Sequence, residues 1–197
     1  MNKTLDVLDQ VMKRYDHLIH FHSIQLLNEP IGQIPMEIVQ DFYVRAYRSL
    51  RRINHSRYIV MHDSFRLNEW EEFFKEHTFN NVILDTHMYQ CFDKSNKGLS
   101  IDDHCDEAFT RKKRLARIEK FVPVIVGEWS LALPGKGKNN REDNPQKFKQ
   151  YASAQLHAMS KCTGHIFWSY RVEQDRFAWH FRKLVENGVI NMKEFLQ

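Results

Sequence analysis

The sequence predicts an α/β fold built on a parallel sheet, and three observations carry that prediction. Five short apolar runs alternate with segments whose apolar residues recur at helical spacing. The runs are continuous rather than alternating, as suits strands buried on both faces, and such strands pair in parallel. The connections between successive runs span a few tens of residues, enough for right-handed crossovers through a helix.

Taken in order, Leu5, Leu8, Val11 and Met12 mark a first amphipathic helix over residues 3–16. The run Ile19 to Leu27 has β-branched and aromatic content, reads as a strand, and stops at Asn28-Glu29-Pro30. Ile38, Phe42, Ala46, Tyr47 and Leu50 form the next helical stripe. A strand is expected at Tyr58 to His62, a short helix at Glu69 to Lys75, and a strand at Asn81 to His87. A helix over 103–120 and a strand at Val122 to Gly127 follow. The segment Leu133 to Pro145, with two Gly and two Pro, reads as a loop suited to a rim or lid. A helix over 146–160, a strand at His165 to Trp168 and a helix over 174–185 complete the chain.

Composition narrows the function. The 197 residues suit one domain, and 14 Phe, 7 Tyr and 4 Trp supply a sizeable core. The net charge of +4 is spread along the chain. Apart from Arg111-Lys-Lys-Arg114, which reads as a solvated helix face, and the Lys136/Lys138 loop, the basic residues are scattered, so no nucleic-acid partner is expected. Cys91, Cys105 and Cys162 form no short-spaced pair, which points to a reducing compartment. Met1 to Arg14 lacks the apolar centre of a secretion signal, and no run reaches membrane-spanning length. The chain as written is therefore expected in the cytoplasm and off the membrane; an upstream segment could direct it outside the cell.

In parallel α/β folds function sits at the C-terminal ends of strands. Those ends here hold Asn28 and Glu29, His62 and Asp63, His87 and Tyr89, Glu128, and Trp168. Two carboxylates facing one cleft cannot both ionise cheaply, so one becomes a proton donor while the other stays anionic, the pairing that cleaves glycosidic bonds. Tyr89 and His87, two apart, point to one side. They are placed to hydrogen-bond the anionic carboxylate and a sugar hydroxyl respectively, and Trp168 offers a flat apolar face to a pyranose. His20 and His22 share a face but lack a placed third ligand, so they read as structural and no metal is expected. Cys91 follows a strand end without a base partner and reads as unreactive.

Five segments, in order, carry a resemblance: Leu26-Leu-Asn-Glu-Pro30, Met61-His-Asp-Ser-Phe65, His87-Met-Tyr-Gln-Cys-Phe92, Val126-Gly-Glu-Trp-Ser130 and Ile166-Phe-Trp-Ser-Tyr-Arg171. Together they resemble family five glycoside hydrolases, of the clan with a (β/α)8 barrel, and most of all the exo-β-1,3-glucanase group. The resemblance implies that Glu29 is the acid/base and Glu128 the nucleophile of a retaining mechanism on a β-glucan or small β-glucoside. It assigns Asn28 to the sugar 2-hydroxyl, His87 and Tyr89 to the lining of the same subsite, Trp168 to its platform and Phe92 to the entrance. It implies no cofactor.

The same resemblance makes Glu29 the end of strand four. The chain is then a single incomplete barrel domain over residues 1–197, a partial TIM barrel of strands four to eight with strands one to three absent. Strands four and eight are expected as sheet edges, open to a homo-oligomer or a complementing N-terminal half-barrel chain. The alternative reading is an inactive truncated remnant that binds carbohydrate or a partner chain without catalysis.

Overall fold

The computed structural model describes residues 2–134, 145–173 and 176–196. Its five strands are β1 (Ser23–Gln25), β2 (Tyr58–His62), β3 (Val82–Met88), β4 (Val124–Trp129) and β5 (Gly164–Phe167). They pair in the order β1-β2-β3-β4-β5, and the registers of β1 with β2, β2 with β3 and β4 with β5 are parallel. The helices are α1 (Asn2–Tyr15), α2 (Met36–Arg51), α3 (Trp70–Glu76), α4 (Ile101–Ile118), α5 (Pro145–Met159), α6 (Phe181–Glu186) and α7 (Met192–Phe195). This is the expected α/β class and the expected partial (β/α)8 barrel. The loop expected over 133–145 lies, from residue 135 to 144, outside the described residues.

The chain divides into two compact units, one holding the residues up to Thr86 with Lys120–Val124, the other His87–Glu119 with the chain from Ile125 onward. β2 and β3 are almost wholly buried, as strands with a neighbour on each side should be, and β3 carries the buried polar residues Asp85, Thr86 and His87 among its apolar ones. Leu84 N–H donates to the Pro123 carbonyl at 2.9 Å; Pro123 has no N–H to give back, and β4 starts one residue later, two later than the sequence predicts. The core packs Met12 of α1, Phe42, Tyr43, Ala46 and Leu50 of α2, Ile59, Met61, Leu84 and Trp70, each less than 2 % exposed. Trp70 is its centre: the ring stacks on Tyr43 at 5.5 Å, meets Phe73 edge-on at 5.2 Å, and donates its Nε1–H to the Asp63 carbonyl at 2.8 Å. Trp70→Ala removes all three contacts and leaves a cavity, so we expect it to cost about 3–5 kcal/mol. A urea unfolding midpoint checks this, and an unchanged midpoint would show that the site collapses around the smaller side chain.

The first strand is shorter than predicted. Residues 16–20 turn instead of extending: Leu18 N–H donates to the Tyr15 carbonyl and Phe21 N–H to the Leu18 carbonyl. The Arg57 guanidinium caps the carbonyls of Asp16 and Leu18, so these backbone groups are satisfied without a ladder. Ile19, counted as strand core, is 85 % exposed. At the other end, Leu26 N–H extends the pairing to the Val60 carbonyl before the chain turns at Asn28.

In the second unit α4 begins at Ser100, whose hydroxyl and backbone exchange hydrogen bonds with Asp103 in a capping box, and α4 packs on α5. After β5 the sequence predicts a helix over 174–185, of which 174 and 175 lie outside the described residues. The described part is a single 3-10 turn at Phe177–Trp179, and α6 starts only at Phe181. The backbone explains the change: Ser169 N–H donates to the Trp179 carbonyl and Phe181 N–H to the Ser169 carbonyl, so this segment is tied to the chain leaving β5. The short α7, unpredicted, sets Phe195 edge-on against His165 at 4.6 Å. β1 and β5, the outer strands in the order, are the shortest, which limits the open edge they present.

Candidate functional site

In the first unit Asn28 and Glu29 follow β1 and are both exposed, while Pro30 is buried. Glu29 has φ +46°, a left-handed conformation that costs an L-residue energy and persists only where the surroundings impose it. Ser64 is part of that surrounding. Its hydroxyl donates to the Pro30 carbonyl at 3.1 Å and its N–H to His62 Nδ1 at 3.0 Å. Ser64 and Phe65 themselves have φ of +54° and +59°, and Phe65 N–H is held by Asp63 Oδ1 at 2.8 Å.

Behind these turns lies a buried polar frame. Thr86 donates to Asp63 Oδ2 at 2.7 Å, Gln25 Nε2 to Asp85 Oδ2 at 2.9 Å, and the Tyr43 hydroxyl to the His62 carbonyl at 2.9 Å. Burial pushes the Tyr43 phenol well above its ordinary range, so it is a fixed proton donor. Such a frame makes the ends of β2 and β3 rigid, and Ser64 ties it to the Glu29 loop. The His22 ring, one of the pair read as structural, stacks on Tyr58 at 5.1 Å.

In the second unit the structure brings Glu128, Tyr89 and His87 together. Tyr89 donates its phenolic proton to Glu128 Oε2 at 2.6 Å, a short charge-assisted hydrogen bond. His87 Nδ1 lies 3.5 Å from the same oxygen, with the imidazole 2 % and the carboxylate 18 % exposed. A carboxylate gripped on one oxygen keeps the other for a reaction partner. Tyr89, Phe92 and Trp179 form an aromatic wall beside it: Tyr89 lies 5.2 Å from Phe92 and 5.3 Å from Trp179, and Phe92 lies 6.0 Å from Trp179. Phe92 is 71 % and Trp168 51 % exposed, and the Trp168–Ser169 peptide is cis.

Three supports of this wall escaped the sequence reading. Trp179 sits in a stretch read as plain helix, and the pair Phe177 and Trp179, two apart, was its one signal. Arg111 does not lie on a solvated face as expected: it reaches back to donate to the Tyr89 carbonyl at 3.1 Å, with its side chain 13 % exposed. The loop after Tyr89 is anchored by Gln90, whose Nε2 donates to the His104 carbonyl and whose Oε1 accepts from His104 Nδ1, while Asn96 Nδ2 donates to the Gln90 carbonyl. Burial lowers the basicity of His104, so its neutral form is favoured in this network. Cys91, in the same loop, has its thiol pushed by burial up to about 11, the reverse of an activated nucleophile.

Residues 2–174 match the model of the family described as Cellulase (glycosyl hydrolase family 5). The chain belongs to glycosyl hydrolase family 5. The family 5 resemblance expected from five ordered segments therefore holds. The chain is 28 % identical over 228 residues to glucan 1,3-beta-glucosidase 2 of Wickerhamomyces anomalus, covering 94 % of this chain and 52 % of that protein. It is 29 % identical over 202 residues to glucan 1,3-beta-glucosidase of Yarrowia lipolytica, covering 85 % and 47 %. The chain thus spans about half the length of the curated relatives it matches. Among solved structures, AoRut superposes with a TM-score of 0.74 at 15 % identity, over 98 % of this chain and 58 % of that one. A beta-glucanase of Saccharophagus degradans gives 0.66 at 13 %, over 89 % and 53 %. These likenesses show the shared fold. Among the described residues no helix is long and apolar enough to cross a membrane.

Proposed function

We propose that this family 5 chain supplies the catalytic part of a retaining β-glycosidase acting on a β-1,3-linked glucan or a small β-glucoside. The observation that carries the reading is the Glu128 carboxylate, fixed by the Tyr89 hydroxyl at 2.6 Å with His87 beside it. That setting suits a nucleophile, which must be anionic and aimed. The names of the relatives support the glucan substrate.

In the proposed sequence Glu29 gives its proton to the glycosidic oxygen as that bond to the anomeric carbon breaks, and a Glu128 oxygen bonds to the same carbon. Glu29, now a carboxylate, takes a proton from water, whose oxygen displaces Glu128 and releases the sugar with its configuration retained. Double displacement of this kind asks for carboxyl groups about 5–5.5 Å apart. Asn28 binds the sugar 2-hydroxyl, His87 a neighbouring hydroxyl, Trp168 stacks on the pyranose and Phe92 flanks the entrance. A closed (β/α)8 barrel needs strands beyond the five among the described residues, so the proposed active form includes three further strand-helix units, from the same polypeptide or a complementing chain.

The test is a 2-deoxy-2-fluoro-β-glucoside, incubated with the chain alone and with a fragment carrying those three units, followed by peptide mass mapping. A glycosyl adduct on Glu128 is the expected result; sugar binding with no adduct and no turnover in either sample counts against catalysis. Tyr89→Phe keeps the ring and its stacking but removes the proton donated to Glu128. A hydrogen bond to a charged group is worth about 1.5–3 kcal/mol, so kcat should fall roughly 10- to 100-fold with little change in KM. A change confined to KM would place Tyr89 in sugar binding instead.

A further inference from the structure

α4 buries Ile101, Cys105, Ala108, Leu115 and Ile118 along one stripe, and the helical period asks for a further member at residue 111 or 112. Arg111 takes that place, with its side chain 13 % exposed. A leucine or methionine would pack there without taking a charge out of water, and a buried cation stabilises a fold only where its partners are complete. Those of Arg111 are not. Nε donates to Glu107 Oε1 at 3.1 Å and Nη2 to the Tyr89 carbonyl at 3.1 Å, while Nη1 is buried with no hydrogen-bond partner among the described residues. Glu107 is shared besides, its Oε1 lying 3.8 Å from Arg114 Nη1.

The guanidinium is spent where the site needs a fixed atom. β3 ends at Met88, so Tyr89 is the first residue past the strand, and Arg111 reaches its carbonyl there. The phenol that donates to Glu128 Oε2 at 2.6 Å hangs from the same residue, so a tie on the Tyr89 backbone sets the direction from which the phenol arrives. The residue after it is held by other groups, Gln90 being anchored to His104 and Asn96. A guanidinium is planar and rigid, and Glu107, one turn back on the same helix, fixes one of its nitrogens. The nitrogen that meets Tyr89 is therefore aimed from a helix and not from a loop.

We propose that Arg111 is a positioning residue of the reaction: through the Tyr89 carbonyl it aligns the phenolic hydrogen bond that holds the nucleophile. This rests on the reading of Glu128 as nucleophile and Tyr89 as its donor, and it adds a group one step removed from both the substrate and the carboxylate. Without the guanidinium the phenol still reaches Glu128, but from more than one direction, and the carboxylate is aimed less well. The loss should therefore be smaller than that from removing the phenolic proton altogether, and it should fall on kcat, because no contact with the sugar is lost.

The test is Arg111→Met, which keeps an unbranched stem on the stripe and removes the guanidinium. In the barrel completed by the three-unit fragment, kcat on an aryl β-glucoside should fall about ten-fold with KM within about two-fold of the parent. Combined with Tyr89→Phe, it should lower kcat no further than Tyr89→Phe alone, to within about two-fold, since both residues act on one hydrogen bond. On the intact chain alone, with tyrosine labelled at 13Cζ, the Tyr89 NMR signal should move. The urea midpoint should not fall, because an apolar side chain replaces a half-paired buried charge and Glu107 keeps Arg114. Arg111→Lys, which keeps the charge but not the planar fork, is a second variant with the same expected direction. A Tyr89 signal that stays in place overturns the proposal, and so does an unchanged kcat. A lower midpoint, or an equal further loss in the Tyr89→Phe background, assigns Arg111 to the stability of the fold and overturns it too. Tyr89→Phe with normal turnover removes Tyr89 from the reaction and Arg111 with it, whereas an impaired Tyr89→Phe beside a normal Arg111→Met removes Arg111 alone.

Discussion

Glu128→Gln is expected to abolish turnover, lowering kcat by at least roughly 10^4-fold, the scale of loss when a nucleophile that acts as part of a unit is removed. The substitution is nearly isosteric, and the amide can still accept the Tyr89 proton that the carboxylate accepts at 2.6 Å. Folding and sugar binding should therefore survive, and only bond formation to the anomeric carbon is lost. The measurement is twofold: hydrolysis of an aryl β-glucoside by the completed barrel, and labelling by the 2-fluoro glycoside. Both should vanish together. Labelling that persists in the variant moves the nucleophile elsewhere, whatever happens to the rate.

Glu29→Ala comes second. Loss of a general acid costs typically about 10^2- to 10^4-fold, and the loss should depend on the leaving group. A glucoside of an acidic phenol departs without a proton, so its first step should survive and the glycosyl-enzyme should accumulate. Added azide, which needs no general base, should then restore turnover and yield a β-glucosyl azide. An unaccelerated reaction, or an α-azide, would falsify the assignment. The left-handed backbone of Glu29 adds a structural side to this experiment. Glu29→Gly should be at least as stable as Glu29→Ala, because glycine adopts positive φ without the steric cost that alanine bears.

The strand ends were legible because their chemistry is local in sequence. Val122 to Glu128 reads as an apolar run ending in a carboxylate, and the structure keeps that carboxylate at the end of β4 with Tyr89 and His87 on it. Tyr58 to His62 is legible to the residue, since a run of five residues with Tyr, Ile and Val is too short for a helix and has the content of a strand. The supports were not legible. Arg111 is one of four consecutive basic residues, and nothing in the run distinguishes the one whose guanidinium turns inward to the Tyr89 carbonyl. Trp179 joins the wall because the chain after β5 pairs with residues 177–181, a long-range backbone contact that overrides helical spacing.

The first strand shows the same division at the element from which the site is hung. Apolar content and the stop at Pro30 announced that a strand delivers Asn28 and Glu29, and the sequence alone determined that order, the parallel α/β class and the family 5 identity. It did so because periodicity and motif order are properties of the chain by itself. Tertiary structure decided that β1 keeps only three residues, that Arg57 satisfies the carbonyls of the turn before it, and that Ser64 holds Pro30. It also decided that Ile31 and Phe65 share a wall with Glu29. Each of these depends on which distant group arrives to satisfy a backbone polar atom or to share an apolar surface, and that partner is chosen only when the chain has folded.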